Sequence, residues 1–291
     1  MSVQMMSVNP SGHRIVVIGS GLCGLTAAYR LKQAGYSPVV LDRNDYTGGR
    51  TRTRTENGFV MDQGACLFPS SYTEAMALAR ELGLQHRMHP VRALSTVETG
   101  GGSYMFDMDR PLLSVLRMPR LGLIDKLSLM RVLPPLLKYW TRLRFDDLSG
   151  VVGADIESAE AFCAKRITRN AYDLLINPTL RSIFAVNGDQ ISAATMLWIL
   201  KGFSGGRMQA FEGGMQTLAN TIREQLDVRT GHQVNSVRRT GRGVSIHADV
   251  DGVSKTIEAD YCILATDGKD LQRLYGHALT ARQNRFLSDL I

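Results

Sequence analysis

Ile15-Val16-Val17-Ile18 runs directly into Gly19-Ser20-Gly21-Leu22-Cys23-Gly24, and no other feature restricts the fold of this chain as tightly. Consecutive β-branched residues suit a strand buried on both faces of a parallel sheet. Leu22, Leu25, Ala28 and Leu31 then recur at helical spacing, and Gly35 follows as a stop. Pro38-Val39-Val40-Leu41 gives a second buried strand that ends at Asp42. Strand, helix and strand fit within about 30 residues, as a parallel crossover requires. In this setting Gly19 supplies a tight turn, Gly21 a side-chain-free approach for a pyrophosphate, and Gly24 close packing of helix on strand. The loop N–H groups, Ser20 and Cys23 among them, and the helix N-terminus together attract the anion. Asp42 stands where a carboxylate accepts both ribose hydroxyls of a dinucleotide, while Arg43 beside it opens the alternative of a 2′-phosphate.

Beyond Asp42 the chain is rich in Gly, Thr and Arg to Thr55, which reads as a loop, and 59–62 reads as extended. A helix is predicted over 73–82, and a hairpin over 94–108 turned at Gly100-Gly101-Gly102. Helical patterns dominate 112–202, with breaks predicted at Pro134-Pro135, 150–153 and Pro178. After a helix over 215–226, the runs 234–239, 244–250 and 256–259 form a meander of strands, and 261–265 returns to the buried sheet. The fold class is α/β: a Rossmann-like dinucleotide-binding domain with parallel sheet and β-meander, plus a mainly helical portion. The expected division is a disordered leader over 1–12, a nucleotide domain over 13–83 and 213–270, and a substrate domain over 84–212 and 271–291.

The 291 residues, 44% of them apolar, suffice for two cores. The polar N-terminus has no secretory pattern, and no apolar run reaches the roughly 18 residues of a spanning helix. The cysteines, Cys23, Cys66, Cys163 and Cys262, form no C-x-x-C pair, so a zinc site is not indicated and a reducing, cytoplasmic setting is expected. A net charge of +7 is not accompanied by any nucleic-acid-binding signature, and no nucleic acid is expected as a partner. The excess is concentrated between Arg110 and Phe145, where eight basic residues face one acid, Asp125. Three readings of this segment, rich in Leu, Met and Val, stand: basic amphipathic helices in peripheral contact with an anionic membrane, such helices over an entrance for a lipid-like substrate, or helices with snorkelling Arg and Lys on a solvated face.

Three linked stretches, 17–25, then Val40-Leu41-Asp42-Arg43, then Gly48-Gly49-Arg50, resemble the flavin amine oxidase superfamily, which includes protoporphyrinogen oxidases and carotenoid or phytoene desaturases. The resemblance implies FAD as cofactor and decides against a 2′-phosphate at Arg43. It implies that Asp42, usually Glu in that family, holds the adenosine ribose, and that Gly48, Gly49 and Arg50 lie against the pyrophosphate. It also places Gly64 and Ala65 near the flavin ring, the backbone of Val234 against adenine, and Thr266 on the strand closing near the cofactor. Glu212-Gly213-Gly214-Met215-Gln216-Thr217-Leu218 resembles the family's Gly-Gly-Met segment preceding the helix that re-enters the nucleotide domain.

In this chemistry the flavin takes the hydride and no obligatory acid–base pair is needed, so no catalytic residue is named. His86 and His89 lack the further ligands of a metal site. Members of the resembled family run on well beyond Ile291, so the substrate domain is expected to be incomplete. An oxidoreductase acting on a hydrophobic or amine-bearing small molecule therefore stands beside two alternatives: an FAD-binding fragment needing a complementary C-terminal chain, and a peripheral membrane-binding module.

Overall fold

A computed structural model of the chain describes residues 12–99, 102–144, 147–202 and 206–289. The expected leader and the Gly100-Gly101 turn thus fall outside the described residues, apart from Gly12. Along the chain, β1 (Ile15–Ile18), α1 (Leu22–Gln33) and β2 (Val39–Leu41) precede a hairpin of β3 (Thr53–Glu56) and β4 (Phe59–Asp62). Next come β5 (Phe68–Pro69), α2 (Thr73–Glu81), β6 (Met88–Val91) and the paired β7 (Leu94–Thr99) and β8 (Gly102–Asp107). The helical stretch holds α3 (Pro111–Arg117), α4 (Leu123–Leu129), α5 (Leu133–Tyr139), α6 (Ala159–Ala164), α7 (Arg169–Ala171), α8 (Asn177–Phe184) and α9 (Ala193–Gly202). The last part contains β9 (Met208–Phe211), α10 (Gln216–Arg223), β10 (Asp227–Arg229), β11 (His232–Thr240), β12 (Gly243–Val250), β13 (Val253–Ala259), β14 (Tyr261–Leu264), α11 (Gly268–Tyr275) and α12 (Ala281–Ser288).

The chain divides into two compact units. The first contains the described residues of 1–67, 78–89 and 210–291. Its central sheet has the strand order β10-β2-β1-β14, with every pairing parallel. All four residues of β1 are buried because neighbours cover it on both edges and layers pack on both faces. Val17 and Val40 pack with Ala28 of α1 on one side, while Val16 and Ile18 pack with Val237, Ile246 and Ile257 of the β11-β12-β13 meander on the other. Gly35, at φ 88°, ends α1 in the left-handed region, and Tyr36 N–H caps the Leu31 carbonyl. The segment 271–289, expected with the substrate domain, belongs to this unit: Leu274 of α11 is buried in the meander core.

The second unit contains the described residues of 68–77 and 90–209. Its core gathers Cys163, Leu180, Met196 and Leu197 from α6, α8 and α9, with Leu143 and Val151 from the segments between α5 and α6. At two predicted breaks the helix changes type instead of ending. Pro134 and Pro135 occupy the first turn of α5, which follows directly on a 3-10 turn at Met130–Val132. Pro178 likewise sits in the first turn of α8, after a widened π turn at Tyr172–Ile176 that joins it to α7. There the Thr179 hydroxyl donates to the Leu175 carbonyl at 2.7 Å, satisfying an acceptor beside the proline. Since Leu197 has no exposed surface, Leu197→Ala is expected to lower unfolding free energy by about 2–5 kcal/mol in denaturant titration.

Candidate functional site

The loop after β1 is shaped by what its glycines leave out. Gly19 has φ 102°, and a Cβ there would lie 2.6 Å from the Ala265 carbonyl oxygen. A Cβ on Gly24 would meet the Gly19 carbonyl oxygen at 1.9 Å, so α1 crosses the strand end at backbone distance. Gly21 differs: a Cβ there meets nothing within 4 Å, and its backbone is extended with φ −63° and ψ 167°. It faces open space at the N-terminus of a 12-residue helix whose first turn holds no acid. The unpaired N–H groups of such a turn favour an anion.

Asp42 is buried, and its carboxylate is engaged by the chain itself. Oδ2 accepts hydrogen bonds from Ser20 N–H and Ser20 Oγ, both at 2.6 Å. Oδ1 accepts from Asn44 N–H at 2.9 Å and Asn44 Nδ2 at 3.0 Å. The expectation of a carboxylate open to two ribose hydroxyls is therefore corrected in one respect: its lone pairs already hold four donors. The short Asp side chain reaches the loop and fastens it. Arg43 turns the other way, with Nη1 3.0 Å from Asp270 Oδ2. Asp270 also pairs with Arg273, which donates to the Val234 carbonyl at 3.3 Å. Arg43 and Val234, far apart in sequence, thus meet through an i,i+3 pair on α11 that sequence reading did not single out. Val234 lies at a register shift in β11, an edge strand of its sheet.

The Gly48-Gly49-Arg50 loop is drawn against the first loop. Gly48 N–H donates to Ser20 O at 2.9 Å, and a Cβ on Gly49 would stand 3.3 Å from Gly21 Cα. The Arg50 side chain is exposed beside this crossing, and among the described residues no salt bridge or side-chain hydrogen bond engages it. Gly64 is required for a protein contact: its Cβ would fall 2.2 Å from the Arg50 carbonyl, to which Ala65 N–H donates at 3.0 Å. Gly64 and Ala65 are exposed, and Thr266 lies beside Gly19.

The same loop is held from the far end of the sequence. Gln216 Nε2 donates to the Thr47 carbonyl at 3.0 Å, and Gln216 Oε1 accepts from Thr53 N–H at 2.8 Å. Asp62 Oδ1 accepts from Thr53 Oγ1 at 2.6 Å and Met215 N–H at 2.9 Å. A Cβ on Gly214 would collide with the Thr53 side chain at 2.4 Å. Thr53, Asp62 and Gln216 are site-building residues that the sequence reading named only inside longer motifs or not at all. The only signal for Gln216 was its place after Gly213-Gly214-Met215.

Cys23 and Cys66 are exposed, whereas burial pushes the thiols of Cys163 and Cys262 up to about 12. His86 lies in a short 3-10 turn and His89 in β6, not on a shared helix face. The second unit has an open cavity of about 1490 Å³ lined by Val97, Phe106, Leu113, Ile176, Met196 and Ile199 among others, with Arg92, Asp107 and further charged residues also in its wall.

The model of the flavin containing amine oxidoreductase family matches residues 22–287. Protoporphyrinogen oxidase 2 of Arabidopsis thaliana is 26% identical over 183 residues, covering 62% of this chain and 34% of that protein. A flavin-containing amine oxidase of Oncorhynchus mykiss is 26% identical over 302 residues, covering 94% of this chain and 54% of that protein. Among solved structures, a putrescine oxidase triple mutant superposes with TM-score 0.78 at 21% identity, over 95% of this chain and 63% of that one. Cyclohexylamine oxidase from Brevibacterium oxydans gives TM-score 0.71 at 17% identity, over 95% and 63% of the two chains. The chain thus spans about a third to a half of the length of these curated relatives.

Replacing Asp42 by Asn puts an amide donor against donors already present. Asp42→Asn should therefore lose about 2–3 kcal/mol of stability in chemical denaturation, and Ser20→Ala about 1 kcal/mol.

Proposed function

Because this chain belongs to the flavin containing amine oxidoreductase family, whose cofactor is FAD, we propose that it serves as an FAD-dependent oxidoreductase for a hydrophobic or amine-bearing small molecule. The observation that carries the reading is Gly21: the loop is closed by glycine at every protein contact, yet at Gly21 the open side has no protein neighbour. That is the form of a cradle which a Cβ would fill. Gly19, Ser20, Gly21, Cys23 and Gly24 would hold the pyrophosphate by backbone N–H groups, with Gly48 and Gly49 closing over it. Arg50, exposed and without a side-chain partner among the described residues, would supply a charge-assisted contact. Ribose binding at Asp42 would exchange one of its present bonds, most simply that from the Asn44 side chain, while the Arg43–Asp270–Arg273 network would set the Val234 backbone for adenine. Gly64, Ala65 and Thr266 would stand toward the flavin.

Bound FAD would supply a two-electron acceptor for a C–H bond next to nitrogen or unsaturation. The protein's part is to position the substrate, and the apolar cavity of the second unit suits a hydrophobic one. Contact with a membrane surface through 110–145 belongs to the same reading as a further partner. A second reading, an FAD-binding fragment inactive without a complementary C-terminal chain, is favoured by the exposure of the apolar β4 residues Phe59, Val60 and Met61.

The purified chain should show the visible absorption of bound flavin, or acquire it on reconstitution with FAD. A colourless protein that cannot be reconstituted rejects the reading. Gly21→Val is a clean variant, since a Cβ there meets no protein atom within 4 Å and the backbone is extended: unfolding should be unchanged while flavin affinity falls at least about tenfold. Alkylation offers a third measurement. At neutral pH Cys23 and Cys66 should react, Cys163 and Cys262 should resist, and FAD should protect Cys23 at the mouth of α1.

A further inference from the structure

The helices between 111 and 140 carry two apolar faces where one would be expected. Met118, Leu121, Val132 and Leu136 turn inward and join the helical core. Leu112, Leu116, Ile124, Leu127, Met130 and Leu137 turn outward, each more than half exposed, with Leu112 at 81% and Ile124 at 75%. Ile124, Leu127, Met130 and Leu137 follow helical spacing, so they form a continuous stripe. Scattered exposed leucines need no explanation, but a contiguous stripe with a polar border marks a surface that meets something.

The border identifies the partner. Arg117, Arg120, Arg131 and Arg142 are exposed, and among the described residues no salt bridge or side-chain hydrogen bond engages them. The one acid of the segment, Asp125, is committed inward: it accepts from Gly122 N–H at 2.9 Å, from Asn170 Nδ2 at 2.7 Å and from the Thr168 hydroxyl, and these bonds hold its carboxyl below the usual range. The face therefore offers aliphatic surface ringed by uncompensated positive charge. A second copy would bring arginines against arginines, since a two-fold contact pairs a surface with itself. A layer with an apolar interior and anionic headgroups complements both features. Trp140, 37% exposed, lies at the end of the stripe, a position suited to the headgroup boundary.

Building on the membrane contact proposed above, we propose that α3, α4 and α5 dock this protein onto an anionic lipid bilayer, the outward Leu, Ile and Met side chains entering the interfacial layer while the surrounding arginines meet lipid phosphates. Leu112 and Leu113 of α3 also line the 1490 Å³ cavity, so the docked face borders the chamber assigned to an apolar substrate.

The test uses the whole chain with vesicles of mixed phosphatidylglycerol and phosphatidylcholine, compared with phosphatidylcholine alone. The protein should sediment with the anionic vesicles, about tenfold or more less with neutral ones, and binding should weaken as salt rises. Trp140 emission should shift to the blue on binding, because the other tryptophan, Trp198, packs against the helical core. The triple variant Leu116→Asp, Ile124→Asp, Leu127→Asp changes only exposed positions, so circular dichroism and flavin content should be retained while vesicle binding falls about tenfold or more. Equal sedimentation of the triple variant and the parent, or no sedimentation of the parent, overturns the proposal. So does a lipid-free dimer that the triple variant abolishes. Flavin content is read on the same samples, so a colourless protein that still binds vesicles rejects the oxidoreductase reading and leaves the docking face standing.

Discussion

The first unit depends on one backbone contact, the Cα of Gly24 laid against the carbonyl of Gly19. Because no side chain separates them, α1 can begin directly over the end of β1, and its unpaired N–H groups open onto the same space as Gly21. The second crossing, Gly49 over Gly21, repeats the device and brings another stretch of bare backbone to the same place. The result is a surface made of main-chain donors, with side chains kept to its edges. Such a surface is rigid without being built of bulky groups, because the sheet beneath it is packed on both faces.

How far this was legible in the sequence follows from the range of the interactions involved. β1 and β2 are all-apolar runs whose burial could be read directly, and Gly19, Gly21 and Gly24 signalled the turn after β1; β14, expected to be buried as well, joins the parallel sheet at its edge, so Tyr261 is exposed and the rest of the strand is half-buried. The engagement of Asp42 could not be read, because it depends on the rotamers of Ser20 and Asn44. The staple from Gln216 to Thr47 and Thr53 spans more than half the chain, and no local pattern encodes it. The close approach of Gly64 to the Arg50 carbonyl, where a Cβ would fall 2.2 Å from the oxygen, joins two loops and is likewise encoded by no local pattern. The prolines marked element boundaries but not their kind, because their effect turns on position: they sit in the first turns of α5 and α8, directly after a 3-10 and a π turn, where an interior proline would have ended a helix.

The helical unit shows the opposite economy of side chains. Ser114 and Ser128 lie buried where larger apolar residues might have been expected, and each hydroxyl is satisfied by a nearby carbonyl, those of Asp107 and Asp125. Leu112, Leu116, Leu123 and Leu127 of the same helices stand outside. Core volume alone does not account for that exchange, since the inward positions of Met118, Leu121, Val132 and Leu136 already connect these helices to the core.

Asp42 links the loop architecture to affinity. Fully engaged, the carboxylate gains nothing outright from a new hydrogen bond; an incoming ribose hydroxyl would replace an existing donor of similar strength. The net contribution of the adenosine sugar is then a difference between two charge-assisted bonds, well below the value of either alone. What the carboxylate contributes without exchange is the position of Ser20, hence of the turn that carries Gly21. Selectivity for a dinucleotide would accordingly rest more on the main-chain cradle and the free Arg50 guanidinium than on the acid at the strand end. An Asp in place of Glu is suited to that division, because the shorter side chain favours the contact within the protein over the one beyond it.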